Sequence, residues 1–159
     1  MTPLTATADL CDRDGAQALV AEPVFRDFGR HIAFAGAVAT VRVRDDNLLV
    51  RQTLATPGDG RVLVVDNGGS LSCALLGDNL AALAVEHGWA GVVVFGCVRD
   101  AAALATLPLG VKALATHPKR GDKTGAGDVG VPVTIAGITI APGAYLTADA
   151  DGIVVTATE

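Results

Sequence analysis

Two uninterrupted apolar runs, Val62-Leu63-Val64-Val65 and Val92-Val93-Val94-Phe95, stand out along the chain. Runs of four β-branched or large apolar residues without polar alternation suit strands covered on both faces. Asp66-Asn67-Gly68-Gly69 ends the first run. Between the two, Ala74, Leu75, Leu80, Leu83 and Ala84 predict one or two helical segments, with Gly88 placed as the residue just past a helix end. A strand, helix, strand crossover makes the two strands parallel neighbours.

The flanks read in the same way. Asp14-Gly15 followed by Ala16, Ala18, Leu19 and Val20 predicts the start or end of a brief helix. Ile32 to Val43 reads as a strand running into a turn at Arg42, Arg44, Asp45 and Asp46, and Leu48 to Leu54 as a short helix before the Thr56-Pro57-Gly58-Asp59-Gly60 turn. Ala101 to Ala105 predicts a helix behind Asp100, closed by Pro108 and Gly110 and followed by a short apolar segment, Val111 to Ala115. The last third is β-rich. Val131, Val133 and Ile135 alternate, Ala136-Gly137 suits a two-residue hairpin turn, Ile138 and Ile140 resume the alternation, and Ile153-Val154-Val155 forms a final strand.

At 159 residues, 50% apolar and 18% charged, the chain is expected to be one α/β domain over residues 1–159, and disorder is excluded. A net charge of −5 lacks the positive field that sequence-independent nucleic-acid binding requires. The uncharged stretch Val129 to Ala148 carries Pro132 and Pro142 among alternating residues, a strand pattern and not a membrane span. Met1 to Asp14 holds acidic residues and no apolar run of signal length, so a cytoplasmic protein is expected. Cys11, Cys73 and Cys97 are widely spaced with no CxxC pair, as reduced, packed thiols would be.

Several candidate motifs fail on context. Gly125-Ala126-Gly127-Asp128-Val129-Gly130 satisfies GxGxxG but leads into strand alternation instead of a helix. Lys123-Thr124 lacks the two phosphate-loop glycines, whose places are taken by His117 and Asp122. Neither Ser70 nor Ser72 lies in GxSxG, and His31, His87 and His117 have no triad or metal spacing. Lys119, Arg120 and Lys123 form a basic cluster that can face a subunit or an anionic ligand.

One constellation remains: Gly77-Asp78-Asn79-Leu80 and, with twenty residues between Asp78 and Arg99, Arg99-Asp100. The crossover puts both segments past the carboxyl ends of parallel strands, where open α/β sheets bind ligands. Two readings stand. Asp78 and Asp100 can be ordinary helix N-caps with Arg99 paired to one of them. Alternatively, free N–H groups near Asn79 bind a carboxylate, Arg99 adds a charged donor, and Asp100 offers a hard oxygen to Mg²⁺ or Mn²⁺.

These strings, together with Gly88-Trp89-Ala90-Gly91-Val92-Val93-Val94-Phe95-Gly96-Cys97-Val98, Arg61 to Asp66, and the closing Asp149-Ala150-Asp151-Gly152-Ile153-Val154-Val155, resemble the RraA-like family from about Thr5 to Val155. That family includes regulators of ribonuclease E activity and class II 4-hydroxy-4-methyl-2-oxoglutarate aldolases. The resemblance implies a swivelling β/β/α-type domain, a central sheet flanked by helices, assembled as a ring-shaped homotrimer with sites at subunit boundaries. It further implies a lyase that cleaves the aldol to pyruvate and decarboxylates oxaloacetate through a shared pyruvate enolate.

By that resemblance Asp78, Arg99 and Asp100 are catalytic. Gly77, Asp78, Asn79, Leu80 and Arg99 bind a small 2-oxo acid, and Asp100 holds a divalent cation, Mg²⁺ or Mn²⁺. Members known chiefly as ribonuclease inhibitors tend to lack the final Asp. The alternative is a non-catalytic protein that binds ribonuclease E or a similar partner. Two departures bear on the aldol substrate: Pro142-Gly143-Ala144 where the family commonly has Pro-Gly-Asp, and an end at Glu159 where longer aldolases contribute an acidic group to the neighbouring site. No glycine-rich strand-to-helix signature for a methyl donor accompanies them.

Overall fold

The computed structural model describes residues 3–159, so Met1 and Thr2 of the expected domain lie outside the described residues. Its centre is four parallel strands: β3 (Phe34–Arg42), β4 (Val62–Asp66), β6 (Gly91–Val98) and β7 (Gly110–Thr116). The two apolar runs are β4 and β6, paired in parallel from Val62 with Gly91 to Asp66 with Phe95. Antiparallel strands extend both sides, making the sheet mixed. The pair β11 (Tyr145–Asp149) and β12 (Gly152–Thr156) continues from β3 to the short β1 (Leu19–Val20), and β2 (Arg26–Asp27) borders β7. Two further strands, β5 (Ala74–Leu76) and β8 (Asp128–Val129), pair with β6 and β3.

Both faces of the central strands are buried, which is why they read as continuous apolar runs instead of alternating ones. Leu63, Val65, Val92 and Val94 face a core shared with Val50 and Leu54 of α2 (Leu48–Leu54), Ala81 and Ala84 of α3 (Asp78–Glu86) and Leu104 of α4 (Ala101–Leu104). Val62, Val64 and Val93 face the other core. There they meet the hairpin of β9 (Val133–Ile135) and β10 (Ile138–Ile140), together with Leu146, Ile153 and Val155. The layers are therefore β, β and α. Helices cover one face of the central strands, not both, because the apolar hairpin occupies the second; α1 (Thr7–Asp14) packs against β11 and β12.

Local chemistry accounts for most boundaries. Ala136 and Gly137 take positive φ of 44° and 81°, the backbone hand a two-residue hairpin turn requires. Gly88, at φ 79°, follows the α3 C-cap His87. One expectation changes and two open ones are resolved. Ala74 and Leu75 belong to strand β5, because the edge of β6 offers them partners that a helix would forgo. Of the two alternatives at Asp14-Gly15, the end of a helix holds: the pair closes α1, and after one 3₁₀ turn Leu19 and Val20 are already extended. Val111 to Ala115 is the interior of β7. No helix among the described residues is long and apolar enough to cross a membrane.

Candidate active site

Strands β5 and β6 lie side by side in parallel with Leu76 opposite Val98, so the residues that follow each strand emerge together. Gly77 and Asp78 leave β5 to begin α3, and Arg99 and Asp100 leave β6 to begin α4. The Arg99 N–H donates to the Leu76 carbonyl at 2.9 Å, closing the last rung between the two exits. Sheet register thus brings together residues more than twenty positions apart in sequence.

Capping by the side chain fails at both aspartates, although Asp100 does stand at the N-cap position of α4. Asp78 is the first residue of α3, whose N-cap is Gly77, and Asp100 makes no side-chain bond to its own helix. Instead the Asp100 Oδ2 accepts the Asp78 backbone N–H at 3.1 Å. Asp100 sits in the left-handed region at φ 59° and ψ 44°, a conformation that Asp and Asn tolerate better than other side chains. Its carboxylate presses so closely on Gly77 that a Cβ there would lie 2.6 Å from Oδ2.

Arg99 pairs with neither aspartate. Among the described residues its guanidinium has only a 3.5 Å contact to the Pro118 carbonyl. The N–H groups of Asn79 and Leu80 donate to no acceptor among the described residues, leaving them free for an anion at the positive end of α3.

These groups line a cavity of about 130 Å³ with Asn47, Arg51, Arg120 and Lys123. Four cationic side chains face two carboxylates there, in a chain of net charge −5. Arg51 and the Arg120–Lys123 segment were not legible as site residues, although the basic cluster at Lys119, Arg120 and Lys123 was a signal for two of the new members. Larger clefts, each of about 630 Å³, lie elsewhere. One carries the ion pair of Arg42 with Asp128 at 3.0 Å, and the other is largely apolar with Arg61 its one charged residue. Pro142 and Gly143 border the apolar cleft and not the Asp100 cavity.

No group of three or more His, Cys, Asp or Glu converges among the described residues, so the donor set does not suit a zinc-type cage. It does suit Mg²⁺ or Mn²⁺, which take one or two carboxylates and complete their shell with water and substrate oxygens. Asp100 Oδ1 has no partner among the described residues, and the Asp78 side chain borders the same cavity. Nucleophilic thiols are absent from this corner: burial, foremost, and the neighbouring Asp45 push the Cys73 thiol up to about 12, and burial raises that of Cys97. All three cysteines are free.

A family model described as RraA-like, Aldolase/RraA, matches residues 7–155. The chain belongs to the RraA-like family. RraA-like relatives provisionally named 4-hydroxy-4-methyl-2-oxoglutarate aldolase include one from Alkalilimnicola ehrlichii, 60% identical over 94% of this chain and 92% of its own. Another, from Deinococcus radiodurans, is 57% identical over 96% and 94%. Among solved structures, the RNA-processing inhibitor RraA from a Thermus species is 47% identical, with a TM-score of 0.95 over 98% of this chain and 94% of its own. A Geobacillus kaustophilus protein described as an S-adenosylmethionine:2-dimethylmenaquinone methyltransferase is 46% identical, with the same TM-score over 98% and 96%. The glycine string at Gly125 to Gly130 opens β8 and no helix, so it is no cofactor-binding turn of the dinucleotide-fold kind.

Proposed function

We propose that this RraA-like chain is a divalent-metal-dependent lyase that cleaves 4-hydroxy-4-methyl-2-oxoglutarate to pyruvate and decarboxylates oxaloacetate. The observation that carries this reading is the juxtaposition at the ends of β5 and β6: unpaired Arg99, the Asp100 carboxylate and the free N–H groups of Asn79 and Leu80. The names of the relatives support the aldol substrate. The domain spans 1–159 and works in the cytoplasm as a ring-shaped homotrimer, an arrangement supported by family membership.

The Asn79 and Leu80 N–H groups, with Gly77 leaving room beside them, bind the carboxylate of the 2-oxo acid at the start of α3. Asp100 would hold Mg²⁺ or Mn²⁺, which supplies Lewis acidity at the keto group when bound. When the bond between C3 and C4 breaks, its electron pair moves to the keto oxygen, and the Arg99 guanidinium stabilises the enolate charge that develops. In aldol cleavage Asp78 holds a water that takes the proton of the C4 hydroxyl and returns one to C3; in decarboxylation the electrons come from the departing carboxylate and only the C3 protonation remains.

The test is pyruvate release from oxaloacetate and from the aldol with Mg²⁺ or Mn²⁺, against EDTA and against metal alone, with Asp100→Asn alongside. Asn keeps the left-handed backbone accessible, so the variant folds and loses metal-dependent turnover. Full activity in Asp100→Asn removes the assignment. A second reading, binding of ribonuclease E without chemistry, is supported by likeness to the Thermus inhibitor RraA. It is favoured if no turnover exceeds the metal background while the chain lowers ribonuclease E activity.

A further inference from the structure

Part of the cavity wall is built from two segments distant in sequence. Asn47 and Arg51 come from the start of α2, and Arg120 and Lys123 from a strap that runs past the end of β7. The strap is stitched on both sides by backbone. Ala74 N–H donates to the Lys119 carbonyl at 2.7 Å and the Gly121 N–H to Ala74 at 3.1 Å, while the Asp122 N–H donates to Asp45 at 2.8 Å and the Asn47 N–H to Asp122 at 2.8 Å.

One buried carboxylate closes the strap onto α2. Asp46, 3% exposed, accepts the Leu48 N–H at 3.1 Å, the Thr124 N–H at 2.6 Å, the Thr124 hydroxyl at 2.5 Å and the Gly125 N–H at 3.2 Å. Burial alone would raise its carboxyl, but these donors outweigh burial and hold it below the usual carboxylate range, so it is an anion at neutral pH. It does not line the cavity; it fixes the segments that do. Arg51, Arg120 and Lys123 take part in no ion pair among the described residues, so three positive charges line the cavity with no carboxylate bound directly to them.

We propose that Arg51, Arg120 and Lys123 select 2-oxo acids with a second, distal carboxylate, and that Asp46 is the positioning residue that sets this cationic wall. The inference rests on the 2-oxo acid reading of the site and adds to it the end of the substrate that is recognised and the residues that recognise it. A wall of this kind acts differently on the two reactions. In aldol cleavage the distal carboxylate survives in the product and its contacts persist through bond breaking. In decarboxylation that carboxylate gives up its charge as it leaves, so the same contacts favour the ground state over the transition state.

The probe pair is 2-oxoglutarate and 2-oxopentanoate, equal in chain length and differing in the terminal carboxylate; neither carries the hydroxyl or the β-carboxylate needed for turnover. Calorimetric titration of the full chain with Mg²⁺ present is expected to give an affinity ratio of about tenfold or more in favour of 2-oxoglutarate, as a retained charged contact predicts. That ratio approaches one in Arg120→Ala with Lys123→Ala, and falls by about threefold or more in Asp46→Asn and Thr124→Val, whose strap is loosened. A merely structural role for Asp46 weakens both ligands together and leaves their ratio unchanged. A ratio of one in the wild type, or a wild-type ratio in folded Asp46→Asn and Thr124→Val, overturns the proposal while oxaloacetate turnover keeps the parent reading intact. Binding of neither acid overturns the proposal, and takes the parent reading with it if oxaloacetate turnover does not exceed the metal background.

Discussion

The carboxylate of Asp100 caps a helix that is not its own: it accepts the N–H of Asp78 at the start of α3, 3.1 Å away, across two neighbouring strand exits. That bond fixes one Asp100 oxygen and leaves the other free. It also ties the anion-binding end of α3 to the segment that presents Arg99.

In the proposed mechanism Arg99 carries the charge that the enolate needs. Arg99→Ala is expected to lower turnover by about 10²–10³-fold, the scale found for removal of one oxyanion donor, with little change in folding because, among the described residues, the guanidinium is tied to the fold only by its long Pro118 contact. Arg99→Lys restores part of the loss, since charge is kept and the planar fork is not. Steady-state kinetics on oxaloacetate decide it; a loss smaller than tenfold in Arg99→Ala removes the role.

Gly77 is needed for space and not for backbone freedom. Its φ of −127° is open to any residue, yet an added Cβ meets Asp100 Oδ2 at 2.6 Å and Arg99 Cγ at 3.3 Å. Gly77→Ala therefore pushes the Asp100 carboxylate aside, and a displacement near 1 Å costs about 10²-fold in rate. Thermal unfolding moves little. Unchanged kcat in this variant contradicts the placement of Asp100 at the reacting centre.

A structural glycine pair behaves in the opposite way. The Phe34 ring lies flat against Gly91 and Gly110 at the starts of β6 and β7, where a Cβ on either would collide with it. Gly110→Ala forces the ring out of the core beside Val38 and Val62, and overpacking of this kind costs about 1–3 kcal/mol. Urea unfolding reads the change as a lower midpoint at constant slope; Phe34→Leu in the same background recovers part of it.

Acid weakens the attachment of α1. Burial pushes the Asp149 carboxyl up, but the Thr7 N–H at 2.8 Å, its hydroxyl at 2.7 Å and the Asp151 N–H at 3.0 Å outweigh it and leave the carboxyl below its ordinary value. A carboxyl lowered on folding stabilises above its unfolded pKa of about 3.9 and loses that contribution as pH falls through the folded value. Denaturant midpoints between pH 6 and pH 2.5 are expected to fall less steeply in Asp149→Asn than in the wild type, from a lower start. Parallel curves would assign the acid sensitivity elsewhere.

The buried parallel strands were legible because burial on two faces writes itself as Val62-Leu63-Val64-Val65 and Val92-Val93-Val94-Phe95. Strand β5 was not. Ala74-Leu75-Leu76 has no β-branched residue, and only the edge of β6 decides its state. The two-residue strands Leu19–Val20 and Arg26–Asp27 are exposed throughout and too short to show alternation. Asp78, Arg99 and Asp100 could be placed together from the crossover of the two apolar runs, although the strand that leads to Asp78 is β5, which the sequence did not reveal. Arg51 could not, because it reaches the cavity through an α2 whose position depends on the Asp46 bonds to Thr124 and Gly125.

The rung from Arg99 to Leu76 has a kinetic meaning as well as a geometric one. Neither half of the site exists locally: Gly77 meets Asp100 only after β5 has docked beside β6, a non-local contact between segments more than twenty residues apart. Such pairings form late when a chain refolds, because loop closure must precede the contacts that reward it. Recovery of activity after dilution from denaturant should then trail the return of helical signal, making the enzyme its own clock for the completion of its sheet.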